Sequence, residues 1–98
     1  MNNFMIRIEL HNSTDEDYKN LDIDLKEVDI LQTIEDVETD EKYYLPKGLY
    51  QYIGHISDKE EMHNKIVKIV KNISEDFGLV IIKSEGSYSS GLNPVKRL

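Results

Sequence analysis

Three side chains suited to acid–base and phosphate chemistry alternate along one segment near the N-terminus. Arg7, Glu9 and His11 occupy every second position of Asn3–His11. In a β-strand they would project from one face, because successive side chains point to opposite sides. Histidine titrates near neutral pH and serves as a general base, and arginine holds phosphate. We therefore treat these three as candidate catalytic residues, with His11 as the base, Arg7 steadying a phosphate and Glu9 orienting the histidine.

A second group of candidates is a pair of tyrosines in the strand predicted over Leu49–Gly54. The alternation of a strand places Tyr50 and Tyr52 on one face. We expect that face to be the open face of the sheet, beside the candidate catalytic residues, where aromatic rings stack on RNA bases or contact a protein partner. The alternative is a non-catalytic face whose charged side chains form cross-strand pairs and which is solvated or buried in a dimer.

Charge is unevenly distributed along the chain, whose net charge is −7. Residues 1–41 hold thirteen acidic and three basic side chains, and residues 42–98 hold six and nine. The acidic half disfavours broad contact with a phosphate backbone and favours a basic partner surface. Asp15, Glu16 and Asp17 begin a predicted helix in this half, and we take them as candidate partner-binding residues. The alternative is that they form a solvated helix surface.

The sequence predicts neither a metal nor a cofactor. Asp36, Glu38 and Asp40 alternate, but a calcium loop starting at Asp36 would have Glu41 in place of glycine at its sixth position and Lys47 in place of glutamate at its twelfth. The chain has no cysteine, which excludes disulfides, cysteine–zinc sites and thiol nucleophiles. It also contains no phosphate-binding glycine loop.

The elements that must position these side chains follow the order β-α-β-β-α-β. Alternating apolar residues predict the first strand, and apolar stripes spaced three and four apart predict two helices. The predicted elements are a strand at Asn3–His11, a helix at Thr14–Glu27, a strand at Asp29–Glu38, an extended segment at Lys42–Leu45, a strand at Leu49–Gly54, a helix from Ser57 to Phe77 and a strand at Leu79–Ser84.

With right-handed crossovers, this order predicts an α+β fold, the ferredoxin-like sandwich, in which a four-stranded antiparallel sheet carries both helices on one face. The first and third strands are then central neighbours. The core beneath the helices is expected to contain Phe4, Ile6, Ile8, Leu10, Leu49 and Ile53. Residues 1–98 are expected to form a single domain, with a flexible linker and tail over about residues 86–98.

Other features of the sequence favour a cytoplasmic protein that does not enter a membrane. The N-terminus runs directly into the first predicted strand without the apolar region of a signal peptide. No apolar run approaches the length of a transmembrane helix. The absence of cysteine is compatible with a reducing cytoplasm.

Short segments spread over most of the chain form a further pattern, which consists of Ile8–Tyr18, Thr33-Ile34, Tyr44-Leu45-Pro46, Tyr50-Gln51-Tyr52 and Gly91-Leu92-Asn93-Pro94. Together these segments resemble the GhoS-like family of small proteins, which is named for an endoribonuclease antitoxin. The resemblance implies a ferredoxin-like fold similar to that of the Cas2 proteins, a homodimer, and an endoribonuclease that cleaves the messenger RNA of a toxin.

The acidic first half supports a rival hypothesis from another class. It favours a non-enzymatic inhibitor of the phage anti-defence or anti-CRISPR type, which would bind a basic nucleic-acid-handling protein. A homodimeric interaction module without catalysis is the third hypothesis. The sequence leaves open which of the three is right, and therefore whether the protein is an enzyme.

Overall fold

A four-stranded antiparallel sheet is the centre of the computed structural model, which describes residues 2–35, 39–84 and 93–94. In chain order the elements are β1 (Asn2–Leu10), α1 (Asp15–Lys26), β2 (Ile30–Leu31), β3 (Thr33–Glu35), β4 (Lys42–Tyr44), β5 (Leu49–Gly54), α2 (Lys59–Val70), β6 (Phe77–Ser84) and β7 (Asn93–Pro94). The main sheet has the lateral order β2-β5-β1-β6, and a second sheet has the order β3-β4-β7. The described residues therefore confirm an α+β chain with two helices and a four-stranded antiparallel sheet.

The even-numbered face of β1 lies in the hydrophobic core, as its alternation predicts. Phe4, Ile6 and Ile8 are fully buried, and Leu10 is nearly so. Both helices contribute buried side chains to the same cluster, so both cover this face of the main sheet. The helical members are Leu21, Leu25, Met62, Ile66 and Val70. Burial of each large apolar side chain contributes about 1.5–3 kcal/mol to holding the two layers together.

Helix α1 begins where its capping residues predict. The hydroxyl of Thr14 accepts from the backbone N–H of Asp17, and the Asp17 carboxylate accepts from the Thr14 N–H at 3.0 Å. This reciprocal pair satisfies backbone donors at the helix start that have no partner within the helix. The helix ends at Lys26, and Glu27 is its C-cap. The predicted range Thr14–Glu27 thus comprises the helix and both of its caps.

Helix α2 is shorter than its apolar stripe predicts. It begins after the N-cap Asp58 and ends at Val70 rather than at Phe77. Past this end, the hydroxyl of Ser74 accepts from the Asp76 N–H at 3.3 Å. A serine that bonds its own local backbone offers the chain an alternative to the helix. Phe77 is the first residue of β6, so its prediction as the end of the helix is wrong.

The segment predicted as one strand at Asp29–Glu38 is divided between the two sheets, so that prediction is wrong. β2 pairs with β5 in the main sheet, whereas β3 pairs with β4 in the second sheet. Gln32 lies at the bend between β2 and β3, and its carbonyl accepts the Leu45 N–H at 2.8 Å. This contact holds the chain in its change of direction. Residues 36–38 of the predicted strand lie outside the described residues.

The second sheet uses the extended segment predicted at Lys42–Leu45, most of which forms β4. Near the end of the chain, β7 pairs with β4. The rest of the predicted linker and tail lies outside the described residues. No helix in the described part of the chain is long and apolar enough to cross a membrane.

Candidate functional site

The tyrosines of β5 lie on the core face of the main sheet, not on its open face as predicted. Tyr50 is paired with Ile6 and Tyr52 with Phe4, and opposite residues of an antiparallel pair share a face. Tyr50 is fully buried, and Tyr52 is 7% exposed. Each ring buries apolar area while its hydroxyl keeps a polar partner, as buried tyrosines usually do. The prediction that these rings are exposed for base stacking is therefore wrong.

The open face of the main sheet is more apolar than predicted, because β5 presents its odd-numbered side chains there. Ile53 and Leu49, for which the pattern predicts core positions, belong to this face. One row across all four strands consists of Leu31, Gln51, Met5 and Ile82. Val80 lies next to the row on β6. The exposed fraction is 58% for Ile82, 55% for Val80 and 52% for Ile53.

Arg7 and Glu9 lie at one end of this open face, where the alternation of β1 predicts them. The Arg7 Nη1 atom donates to the carbonyl of Lys47 at 3.0 Å. The Ile8 N–H donates to the carbonyl of Gly48 at 2.8 Å. Both contacts attach the turn before β5 to β1, so the exposed guanidinium is held in place by the fold. Its position at the end of the sheet allows it to meet an anion from solvent.

His11 lies just beyond β1 and contacts two carboxylates. Its Nδ1 is 2.8 Å from Asp76 Oδ1, and its Nε2 is 3.5 Å from Glu9 Oε1. The backbone N–H of His11 also donates to the Asp76 carbonyl at 3.0 Å. The hydrogen bond that His11 donates to Asp76 is the main cause that raises the pKa of His11 above its ordinary value, and Glu9 acts in the same direction. His11 therefore keeps its proton to a higher pH than an ordinary histidine does.

Asp76 is the member of this cluster that the sequence does not reveal. It is 65 positions away from His11, and no motif marks it. The informative signal is the register of β1 against β6, in which Leu10 lies opposite Phe77. The residue after Leu10 is His11, and the residue before Phe77 is Asp76, so these two residues lie opposite each other. The predicted helix obscures this register, because it includes the start of β6. The orienting contact predicted for Glu9 is made more closely by Asp76.

A second polar cluster lies beside the first turn of α1. The Nζ atom of Lys47 is 2.6 Å from Asp15 Oδ1 and 4.4 Å from the centre of the Tyr18 ring. The Tyr18 hydroxyl accepts the N–H of Leu10 at 2.9 Å. The ion pair lowers the pKa of Asp15 and raises the pKa of Lys47. Because both charged groups are exposed, the pair positions the turn more than it stabilises the fold.

Tyr50 and Asp22 form a polar contact beneath α1. The Tyr50 hydroxyl donates to Asp22 Oδ1 at 2.5 Å. Burial raises the pKa of Asp22, while the hydrogen bond from Tyr50 and the charge of Lys47 act to lower it. Burial is also the main cause that raises the pKa of Tyr50. Perturbed groups are enriched at functional sites, but the buried Tyr50 hydroxyl offers no accessible reactive atom. The contact anchors α1 to β5.

The acidic residues predicted to bind a partner differ in their roles within the fold. Asp15 forms the ion pair with Lys47, and Asp17 caps α1. Glu16 is exposed on the first turn of the helix. Asp15 and Asp17 therefore have a structural role. That any of the three carboxylates binds a partner stays a prediction. Within the described ranges, no group of three histidine, aspartate or glutamate side chains is placed to hold a metal ion.

Comparison with known proteins gave no match, whether to a protein-family model, to a curated protein or to a solved structure. The resemblance to GhoS-like proteins therefore stays a prediction. The functional argument depends on the geometry of two places, which are the open face of the main sheet and the His11–Asp76–Glu9 cluster at its end.

Proposed function

We propose that this chain is a homodimeric interaction protein of the cytoplasm with a ferredoxin-like fold, and that two copies associate through the open faces of their main sheets. The supporting observation is the apolar character of that face. Exposed Ile53 and Val80 lie beside the row that runs from Ile82 through Met5 and Gln51 to Leu31. Contiguous exposed apolar surface is typical of interaction sites. Two such sheets can stack about 10 Å apart with interdigitating side chains.

The charge of the open face favours a second copy as its occupant. Among the described strand residues of this face, Arg7 and Glu9 are the only ionisable ones, and their charges are opposite although the chain carries −7. The acidic helix α1 packs on the other side of the sheet. Two copies can therefore stack without bringing their acidic surfaces together. A twofold axis through the face would let the same apolar patch serve both copies.

The order of the strands supports the ferredoxin-like part of this proposal. β1 lies between β5 and β6, and β2 occupies the edge beyond β5. Helix α1 connects β1 to β2, and helix α2 connects β5 to β6. Both helices cover the same face, as two right-handed crossovers require. The segment that forms β3 and β4 is then an insertion between the second and third strands of the motif.

A charge placed on the open face tests for the dimer. Ile82→Lys and Ile53→Lys are expected to produce a monomer, because a lysine in a stacked apolar interface would lose its hydration without gaining a partner. Ile23→Lys is the matched control, since Ile23 is 60% exposed on α1, across the sheet from the open face. Sedimentation velocity over a series of protein concentrations measures the result, and circular dichroism confirms that each variant is folded. A wild-type protein that stays monomeric throughout would contradict the proposal.

A second candidate function is cleavage of RNA, as in the GhoS-like endoribonuclease antitoxins that the sequence resembles. It is favoured by the 2.8 Å contact between His11 Nδ1 and Asp76. When a carboxylate accepts the proton of Nδ1, Nε2 remains as the basic nitrogen. Nε2 would then remove the proton of an RNA 2′-hydroxyl as that oxygen attacks the adjacent phosphorus and forms a 2′,3′-cyclic phosphate. The bond from phosphorus to the 5′-oxygen of the next nucleotide breaks, this oxygen leaves with a proton from solvent, and the exposed Arg7 would steady the phosphate.

Incubation with a toxin messenger RNA and with an unrelated RNA, each with and without magnesium, tests this second candidate. If cleavage occurs at His11, His11→Gln is expected to slow it by about 10²–10⁴-fold, the usual contribution of a general base. Asp76→Asn is expected to slow it more than Glu9→Gln, because Asp76 makes the shorter contact with the imidazole. RNA left intact by the wild-type protein under all conditions would remove this candidate and leave the dimer unaffected.

A further inference from the structure

We propose that the outer edge of β6 binds an extended, acidic peptide segment of another protein, which joins the main sheet as a fifth strand beside β6. In this mode of recognition, backbone hydrogen bonds provide affinity and alternate side chains provide specificity. The inference goes beyond the proposed dimer, because stacking of two open faces leaves the edges of both sheets accessible. It concerns a different surface and a different partner.

The first observation is that, within the described part of the chain, β6 is a long edge strand without the usual protection. It has eight residues, and among the described strands only β1 pairs with it. Edge strands are normally protected by proline, bulges, charged side chains or shortness. Here the strand has no proline, and its first charged residue is Lys83, near its end. Val80 and Ile82 are exposed on one face, and Leu79 and Ile81 are partly buried on the other.

The opposite edge of the main sheet provides a contrast. β2 has only two residues, and the chain turns away from it into the second sheet. A strand of that length offers too few backbone groups for another strand to pair with. The main sheet therefore has one short edge and one long edge, and an added strand is expected at β6.

The second observation is the positive charge of the helix that packs against β6, which selects the chemistry of the partner. Helix α2 packs against β6, and from His63 to Ser74 the chain has three lysines and no acidic residue. Lys65, Lys68 and Lys71 are all exposed. A second copy of β6 would bring the same lysines with it, and like charges would then approach one another. An acidic strand with alternating apolar residues would place its carboxylates near the lysines of α2 and its apolar side chains against those of β6.

A synthetic peptide as long as β6, built of alternating valine and glutamate with blocked ends, is the probe. Calorimetric titration into the full-length protein measures its affinity, and NMR locates the amides that respond. We expect chemical-shift changes and slower hydrogen exchange along β6. A peptide of the same length with lysine in place of glutamate is expected to bind at least tenfold more weakly. The same valine–glutamate peptide, N-methylated at every residue, has no backbone donor on either edge and is expected to bind at least about tenfold more weakly.

Charge variants separate the edge from the open face. The double variant Lys65→Glu, Lys68→Glu is expected to weaken peptide binding while leaving the oligomeric state unchanged. Lys26→Glu on α1 is the control with an exposed lysine away from β6, and it is expected to bind the peptide like the wild type. Because Ile53→Lys on β5 tests the dimer without changing β6, either interaction can fail while the other is observed.

Three results would overturn the inference. Equal binding of the N-methylated peptide would show that backbone pairing is not involved. Shift changes confined to the lysines of α2, produced equally by a single-stranded RNA oligonucleotide, would show a general surface for polyanions in place of a strand-binding edge. Absence of binding at peptide concentrations up to the millimolar range would also exclude it.

Discussion

The buried hydroxyl of Tyr50 depends on a single carboxylate, and this dependence can be measured. Asp22→Ala removes the acceptor and leaves the hydroxyl buried without its partner. The expected loss is about 1–3 kcal/mol of the free energy of unfolding, which is typical of an unsatisfied buried donor. Asp22→Asn keeps an acceptor oxygen at the same place and is expected to cost less. Urea denaturation of both variants at pH 7 gives the comparison, and equal losses would show that the hydroxyl finds another partner.

The contact between His11 and Asp76 predicts a stability that falls as pH rises. The pKa of His11 is raised in the folded protein, so the stabilisation is fully present below the ordinary histidine pKa and is lost as pH rises through the raised value. Asp76→Asn is expected to return the pKa of His11 towards its ordinary value, and Glu9→Gln to lower it less. NMR titration of the imidazole measures each pKa directly. An unchanged pKa in Asp76→Asn would contradict the assignment.

At the scale of the element, the turn before β5 is fixed by Gly48. Its φ is +81°, and a Cβ added there would lie 2.5 Å from the Ile8 carbonyl oxygen. Gly48→Ala therefore combines a left-handed backbone, which costs about 1–2 kcal/mol, with a clash against β1. Gly78→Ala is the control, because nothing lies within 4 Å of its added Cβ. Thermal denaturation is expected to show a large loss for Gly48→Ala and little change for Gly78→Ala; similar losses would refute the role of the turn.

The strands β1 and β5 differ in how well the sequence predicts which of their faces is buried. The even face of β1 is predicted correctly, because every even position from Phe4 to Leu10 is apolar, whereas Arg7 and Glu9 mark the other face as polar. The faces of β5 are not, because both carry large apolar or aromatic side chains and only Gln51 marks the solvent side. Period alone cannot choose between two such faces. The hydroxyl partners of Tyr50 and Tyr52, which make their burial favourable, depend on residues in α1 and the loop before α2.

The sequence predicts only those residues of the candidate site that belong to a single strand and its end. Arg7, Glu9 and His11 follow from the alternation of β1, and the structure places all three at one end of the sheet. Asp76 depends on the register between β1 and β6, and this contact between distant segments has no local signal. The end of α2 at Val70 likewise has no clear local signal in the sequence. Its apolar stripe continues to Phe77, but the later residues of the stripe belong to a turn and to β6.

At the scale of the whole molecule, the net charge of −7 predicts that salt stabilises this protein. Raising sodium chloride from about 10 mM to about 150 mM shortens the Debye length from about 30 Å to about 8 Å and weakens the repulsion among the acidic residues. The midpoint of thermal unfolding is expected to rise, at one fixed protein concentration. Glu16→Gln removes an exposed negative charge and should reduce the effect of salt, whereas Lys65→Gln removes an exposed positive charge and should increase it. A midpoint that falls with salt would instead show that attractive pairs such as Lys47–Asp15 outweigh the net charge.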